Sequence, residues 1–155
     1  MKFSAASNPP PPWIPTVLGF DPGRDKCGVA VMTGETLHYH QVVPALAAIA
    51  TLDHLIAHWR VDRLVLGDQT TAKQWRSRLT QDLQSCPPLT LVDERYTTLE
   101  ARDRYWQMYP PQGLTRLLPQ GLRHPPRPID DIVAILLIER YRSRLASSQE
   151  SGLIP

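Results

Sequence analysis

The stretch Val17-Leu18-Gly19-Phe20-Asp21-Pro22-Gly23, followed after four intervening residues by Gly28-Val29-Ala30-Val31, decides the architecture. An apolar run ends in a carboxylate, a Pro-Gly turn reverses the chain, and a second apolar run begins. The pattern is strand, acid, tight turn, strand. A carboxylate at such a junction is fixed by the sheet while its oxygens face an open turn. That arrangement suits a divalent metal, or a phosphate held through one. The plain alternative is that Asp21 simply starts the turn.

Working outward, Thr36–Val43 reads as a third strand, and Gly23 and Gly34 supply the turns of an antiparallel meander. From Ala45 to Trp59, Leu46, Ile49, Ala50, Leu52, Leu55 and Ile56 recur at helical spacing. Arg63–Gly67 is a short apolar strand, Ala72–Leu83 is helical, and Leu89–Asp93 is another buried strand. Strand-helix-strand-helix-strand requires parallel pairing through crossovers. A helix over Thr97–Met108 precedes a proline- and glycine-broken segment from Tyr109 to Pro128. A strongly apolar helix closes the chain from Ile129 to about Leu145. The expected fold is α/β: a mixed five-stranded sheet, three strands in an antiparallel meander plus parallel strands, flanked by helices. This domain occupies residues 16–145, between a Pro-rich disordered tail (1–15) and a flexible polar tail (146–155).

Two further acidic points adjoin apolar elements: Asp93-Glu94 after a strand, and Asp130-Asp131 at the start of the last helix. Each has an ordinary reading, as a charged residue leaving a strand or as acids favoured at a helix N-terminus. In open α/β sheets, however, sites gather at the carboxyl ends of strands, where Asp21 and Glu94 both lie. Carboxylates brought together repel and raise one another's pKa unless something positive joins them. With no Cys-His cluster competing, magnesium or manganese fits oxygen donors. Two such ions about 3.5–4 Å apart would activate water and stabilise the leaving oxygen of a phosphodiester.

Bulk properties set limits. A chain of 155 residues forms one domain and buries about two-thirds of its unfolded surface. A net charge of +2 is too small to announce a nucleic-acid binder. Only Lys2, Lys26 and Lys73 of the 17 basic residues are lysine, so arginine, with its phosphate-gripping fork, dominates; genome base composition produces the same bias. Cys27 and Cys86 match no metal spacing and read as reduced thiols of a cytoplasmic protein. No apolar run approaches the ~18 residues of a membrane span.

The acidic motifs resemble those of the YqgF/RuvX family, the Holliday junction resolvase or pre-16S rRNA nuclease group of the RNase H-like superfamily. Asp21-Pro22-Gly23 with Gly28-Val29-Ala30-Val31 is similar to its opening signature. Asp93-Glu94-Arg95 with Thr97-Thr98-Leu99-Glu100-Ala101 resembles its second, and Ile129-Asp130 with Ile135-Leu136-Leu137 and Tyr141 its terminal helix. The resemblance runs from about Thr16 to Leu145. It implies an RNase H-like fold, a metal-dependent endonuclease, and Asp21, Glu94 and Asp130 as its catalytic, Mg2+- or Mn2+-binding acids. Asp21 would bridge the ions, Glu94 would come from the neighbouring strand, and Asp130 would complete the set. Asp131, about 100° around the helix, is a substitute metal ligand. Arg24, Lys26, Arg95, Arg123 and Arg127 are candidate contacts to nucleic acid, structured RNA or branched DNA; for Arg95 a salt bridge to Asp93 or Glu100 is the other reading. The chain departs from the family at Asp68-Gln69-Thr70-Thr71, where relatives have a proline and a glycine-containing loop, and at Arg123-His124-Pro125-Pro126-Arg127-Pro128.

His54 and His58, four apart on a helix, lack a third ligand and read as an exposed face. His38 and His40 alternate on one strand face and read the same way. Tyr105, Trp106 and Tyr109 complete a core or stack on unpaired bases. Besides a nuclease, a non-catalytic RNA-binding or ribosome-assembly protein on this scaffold and an actin-like nucleotide module fit the sequence. Monomer and homodimer both remain open.

Overall fold

The structure, a computed structural model, describes residues 12–69 and 71–152. The strands are β1 (Thr16–Asp21), β2 (Lys26–Thr33), β3 (Thr36–Pro44), β4 (Arg63–Gly67) and β5 (Leu89–Val92). The helices are α1 (Ala48–Trp59), α2 (Ala72–Asp82), α3 (Thr97–Met108) and α4 (Asp130–Ser151). They form one mixed sheet in the order β3-β2-β1-β4-β5. β1 pairs antiparallel with β2 and β2 with β3, while β1–β4 and β4–β5 are parallel. This is the expected meander plus crossover strands.

The two-residue period of the strands splits the core into two layers. Leu18, Phe20, Val29 and Val31 face α1 and α2, where Trp75 meets Phe20 edge-on at 5.1 Å between ring centroids. Val17, Ala30, Met32 and Val65 face the opposite side, covered by α3 and α4. Residues Asp131 to Ile138 of α4 are all buried because this helix lies between the sheet and α3. An amphipathic stripe cannot describe a helix enclosed in this way.

Two sequence expectations about the elements need revision. The segment after β3 opens with a 3-10 turn, Ala45–Ala47, before α1 begins. Three residues per turn shift the phase of the apolar pattern, so Leu46 is 95% exposed rather than part of the buried face. The last helix continues through Ser151, so residues 146–151 are not a frayed end. Extending a nucleated helix fixes one residue per hydrogen bond, and the Ser147, Ser148 and Ser151 hydroxyls donate to carbonyls one turn back. Of the Pro-rich tail, residues 1–11 lie outside the described residues; Pro12 to Pro15 form no regular element and Trp13 is exposed.

Candidate active site

Asp21 is the last residue of β1 and pairs with Gly28 across the antiparallel register. Glu94 follows β5, which is not β1's neighbour, because β4 lies between them. The expectation that Glu94 comes from the adjoining strand is therefore corrected. Its side chain reaches over the end of β4, and Gly67 is the residue beneath it. A Cβ at Gly67 would overlap the Glu94 carboxylate itself. Gly28 does the same for the helix: a Cβ there would overlap the Asp130 carbonyl, so its absence lets the start of α4 rest against the sheet. Two missing side chains thus bring three distant acids to one end of the sheet.

Glu94 is 5% exposed, and apart from the Asp21 carboxyl it faces, neither carboxylate oxygen has a hydrogen-bond donor among the described residues. Its backbone is held from several sides. The Glu94 N–H donates to Asp68 Oδ1 at 3.2 Å, and Thr97 Oγ1 donates to the Glu94 carbonyl at 2.8 Å. Arg140 of α4 donates to the carbonyls on either side, Asp93 at 2.6 Å and Arg95 at 2.7 Å, and to Glu100 at 3.0 Å. Tyr96, two residues on, has a φ of 62°, left-handed backbone that a bulky side chain seldom adopts. Strain of this kind persists only where the surroundings enforce it.

The electrostatics follow from this geometry. Burial, then repulsion from Glu94 and Asp130, pushes the Asp21 carboxyl up to about 8. Burial likewise raises Glu94, although its hydrogen-bonding contact with Asp21 opposes the rise. In the absence of a cation, the two carboxyls together retain a proton at neutral pH. Asp130 is half-buried and near enough to act on Asp21. Among the described residues, no three His, Cys, Asp or Glu side chains stand in a ready metal-holding cluster. The structure therefore unites Asp21 and Glu94 and sets Asp130 beside them. The donor chemistry fits a hard divalent cation: a buried, donor-free carboxylate against a second carboxylate is a concentration of negative charge that such an ion neutralises.

Asp131, expected as a substitute metal ligand, is instead engaged by His40 and Arg127. It is 2% exposed and both oxygens are engaged: His40 Nδ1 donates to Oδ2 at 2.6 Å, and Arg127 donates to Oδ1 at 3.0 Å and Oδ2 at 3.3 Å. Burial would raise its pKa, but these hydrogen bonds more than offset that and hold it below the ordinary carboxylate value. Arg127 also lies over the rings of Tyr105 and Tyr109, at 5.4 and 5.7 Å. Arg24, on the turn after Asp21, and Lys26, the first residue of β2, are exposed. Arg95 is exposed and pairs with Asp93 at 3.5 Å, whereas Glu100 belongs to Arg140. Arg123 spends its donors on backbone carbonyls within its own segment.

Sequence reasoning missed Arg140, Asp68 and His40. Arg140 is one of three alternating arginines in α4, with Arg142 and Arg144, and nothing in the sequence sets it apart from them. Nothing in sequence ties His40 to Asp131, 91 residues away. His38 bonds to Thr33, and His54 and His58 stack on an exposed face of α1. Tyr105 is buried in the core, while Tyr109 is 41% exposed.

The sheet order and flanking helices place this protein among RNase H-like α/β folds. Solved structures with the same architecture include Thermus thermophilus RuvC in complex with Holliday junction substrate (TM-score 0.52, 18% identity, 84% of this chain and 96% of that one). Another is Fowlpox virus resolvase in complex with Holliday junction DNA (TM-score 0.58, 11% identity, 84% and 98%). The RuvX family model, described as Holliday junction resolvase, matches residues 15–141, and the chain belongs to that family. Relatives named "Putative pre-16S rRNA nuclease" occur in Xanthomonas oryzae pv. oryzae, 29% identical over 90% of this chain and 93% of its own length. Another, from Xanthomonas euvesicatoria pv. vesicatoria, is 28% identical with the same coverage.

Proposed function

We propose that this protein is a metal-dependent endonuclease that hydrolyses phosphodiester bonds in structured nucleic acid, in pre-16S rRNA processing or the resolution of branched DNA. The observation that carries the reading is the Glu94 carboxylate, seated over Gly67 beside the end of β1 where Asp21 lies, with both oxygens buried and no cation or backbone N–H bonded to them among the described residues. Membership of a resolvase family and relatives named for a pre-16S rRNA nuclease support it. Asp21, Glu94 and Asp130 are the residues that would hold the cation. When bound, magnesium or manganese, as one ion or a pair, supplies charge neutralisation, water activation and stabilisation of the leaving oxygen. Holding a cation would require Asp21 to ionise, its proton passing to solvent. Arg140 and Asp68 keep Glu94 aimed across Gly67, so that little reorganisation is needed. Arg24, on the turn after Asp21, and Lys26, at the start of β2, orient the phosphate backbone by charge.

No helix among the described residues is long and apolar enough to cross a membrane. We place the activity in the cytoplasm, where pre-rRNA and chromosomal DNA reside in a bacterial cell. The test is cleavage of a panel of end-labelled substrates, pre-16S rRNA ends, RNA hairpins and four-way DNA junctions, in magnesium, in manganese and in chelator. Metal-dependent cutting that disappears in Asp21→Asn is the expected result. Salt-sensitive binding with no cutting in either metal would overturn catalysis and leave an RNA-binding assembly factor on this scaffold.

A further inference from the structure

The segment joining α3 to α4, residues 109–128, contains no Asp or Glu but carries Arg116, Arg123 and Arg127. It also turns leucines toward water: Leu114 is 84% exposed, Leu117 79% and Leu122 61%. Isolated surface leucines are ordinary, but a cluster on one short segment marks a contact surface. Nor is this a slack loop. Arg123 donates to the carbonyls of Leu118 at 2.9 Å, Thr115 at 3.2 Å and Arg116 at 3.3 Å, gathering two 3-10 turns, Gly113–Leu117 and Gln120–Leu122, around its guanidinium. Gln120 donates to Asp103 and Arg102 to His124, fastening the segment to α3. With its polar centre satisfied internally, the segment presents its leucines outward, and it runs directly into Asp130.

We infer that residues 113–122 form a wedge that engages unstacked bases of a branched or looped nucleic acid next to the acidic site. Apolar side chains inserted at a disrupted base step, framed by cations on the phosphates, are a recurrent way to hold distorted nucleic acid. Charge decides between occupants. Arg127 is neutralised by Asp131, but the segment itself holds no carboxylate and keeps the charges of Arg116 and Arg123; that balance complements a phosphate backbone, whereas a two-fold contact with a second copy would face like charges against one another. The inference rests on the nuclease reading for its substrate class and gives the word "structured" a physical reader.

The test uses the full chain carrying Leu114→Ser together with Leu117→Ser. Both positions are exposed, so the thermal midpoint should match the parent's. Fluorescence anisotropy in chelator compares a four-way DNA junction and an internal-loop RNA hairpin with fully paired duplexes, with 2-aminopurine beside the branch or loop. The variant should bind the branched and looped probes about tenfold more weakly while duplex affinity stays within about twofold. The 2-aminopurine brightening seen with the parent should be lost. Equal losses on duplex and branched probes, or no loss at all, would overturn the wedge. So would a parent that is dimeric by light scattering and a variant that is monomeric, which would make the leucines a self-interface. Magnesium-dependent cleavage by a parent whose binding ignores the leucines removes the wedge and keeps the nuclease. Leucine-dependent binding without cleavage does the reverse.

Discussion

Replacing Asp21 by Asn should make the metal-free protein more stable while removing its response to metal. The physical basis is burial of Asp21, reinforced by repulsion from Glu94 and Asp130, which together push its carboxyl from 3.8 to about 8. A carboxyl whose folded pKa is raised contributes stability that is fully present below its unfolded pKa and is lost as pH rises toward the folded value. At pH 7 the span above the unfolded value is roughly three pH units, a ceiling of ~4 kcal/mol at 1.36 kcal/mol per unit. Asp21 is only partly enclosed and shares its proton with Glu94, so about 2 kcal/mol is the working expectation. Asparagine carries no charge to desolvate or repel. In chelator at pH 7 the variant should therefore melt ~4–8 °C above the parent, on the scale of a domain this size. The gap should shrink toward pH 4 and widen toward pH 8. With magnesium or manganese at about 100 times its dissociation constant, the parent should gain ~2.7 kcal/mol and the variant little. Calorimetry across that pH range, with and without metal, reads all three quantities. A variant no more stable than the parent in chelator, with parallel pH curves, would refute the repulsion argument, and an undiminished metal shift would refute the site.

Gly67→Ala should displace the Glu94 side chain, since the new methyl group occupies the carboxylate's place; cleavage and metal-induced stabilisation should both fall at least tenfold, about 1.4 kcal/mol or more, and wild-type rates would show that Glu94 does not act from this position. Arg140→Ala releases the carbonyls of Asp93 and Arg95, so kcat should drop with KM nearly unchanged; Arg140→Lys should restore part of it, and an equal loss in both variants would contradict a positioning role. Asp131→Asn leaves Arg127 and His40 without their anion and should cost roughly 1–3 kcal/mol. Because the folded pKa of Asp131 is lowered, its contribution is present above the unfolded pKa near 4 and lost as pH falls through the folded value. Parent and variant stabilities, measured by urea unfolding, should converge in that acid range, and a constant difference would exclude the ion pair as the cause.

Much of this protein was determined by local pattern. Alternating apolar residues around Asp21-Pro22-Gly23 sufficed for β1 and β2, and the strand-helix alternation from Arg63 to Asp93 sufficed for parallel crossovers, because periodicity and turn chemistry act within a few residues. Asp21 and Glu94 could be picked out for the same reason: Asp21 ends one recognisable strand and Glu94 closely follows another. The conjunction of acids was decided only by tertiary structure. Sheet order put β4 between their strands, and the bare backbone of Gly67 let Glu94 cross it. Helix packing turned Asp131 toward His40 and Arg127, leaving Asp130 beside the pair, a choice that two adjacent aspartates in a sequence do not encode. Close approach between elements is a property of the gaps between side chains, and those gaps exist only once the chain has folded.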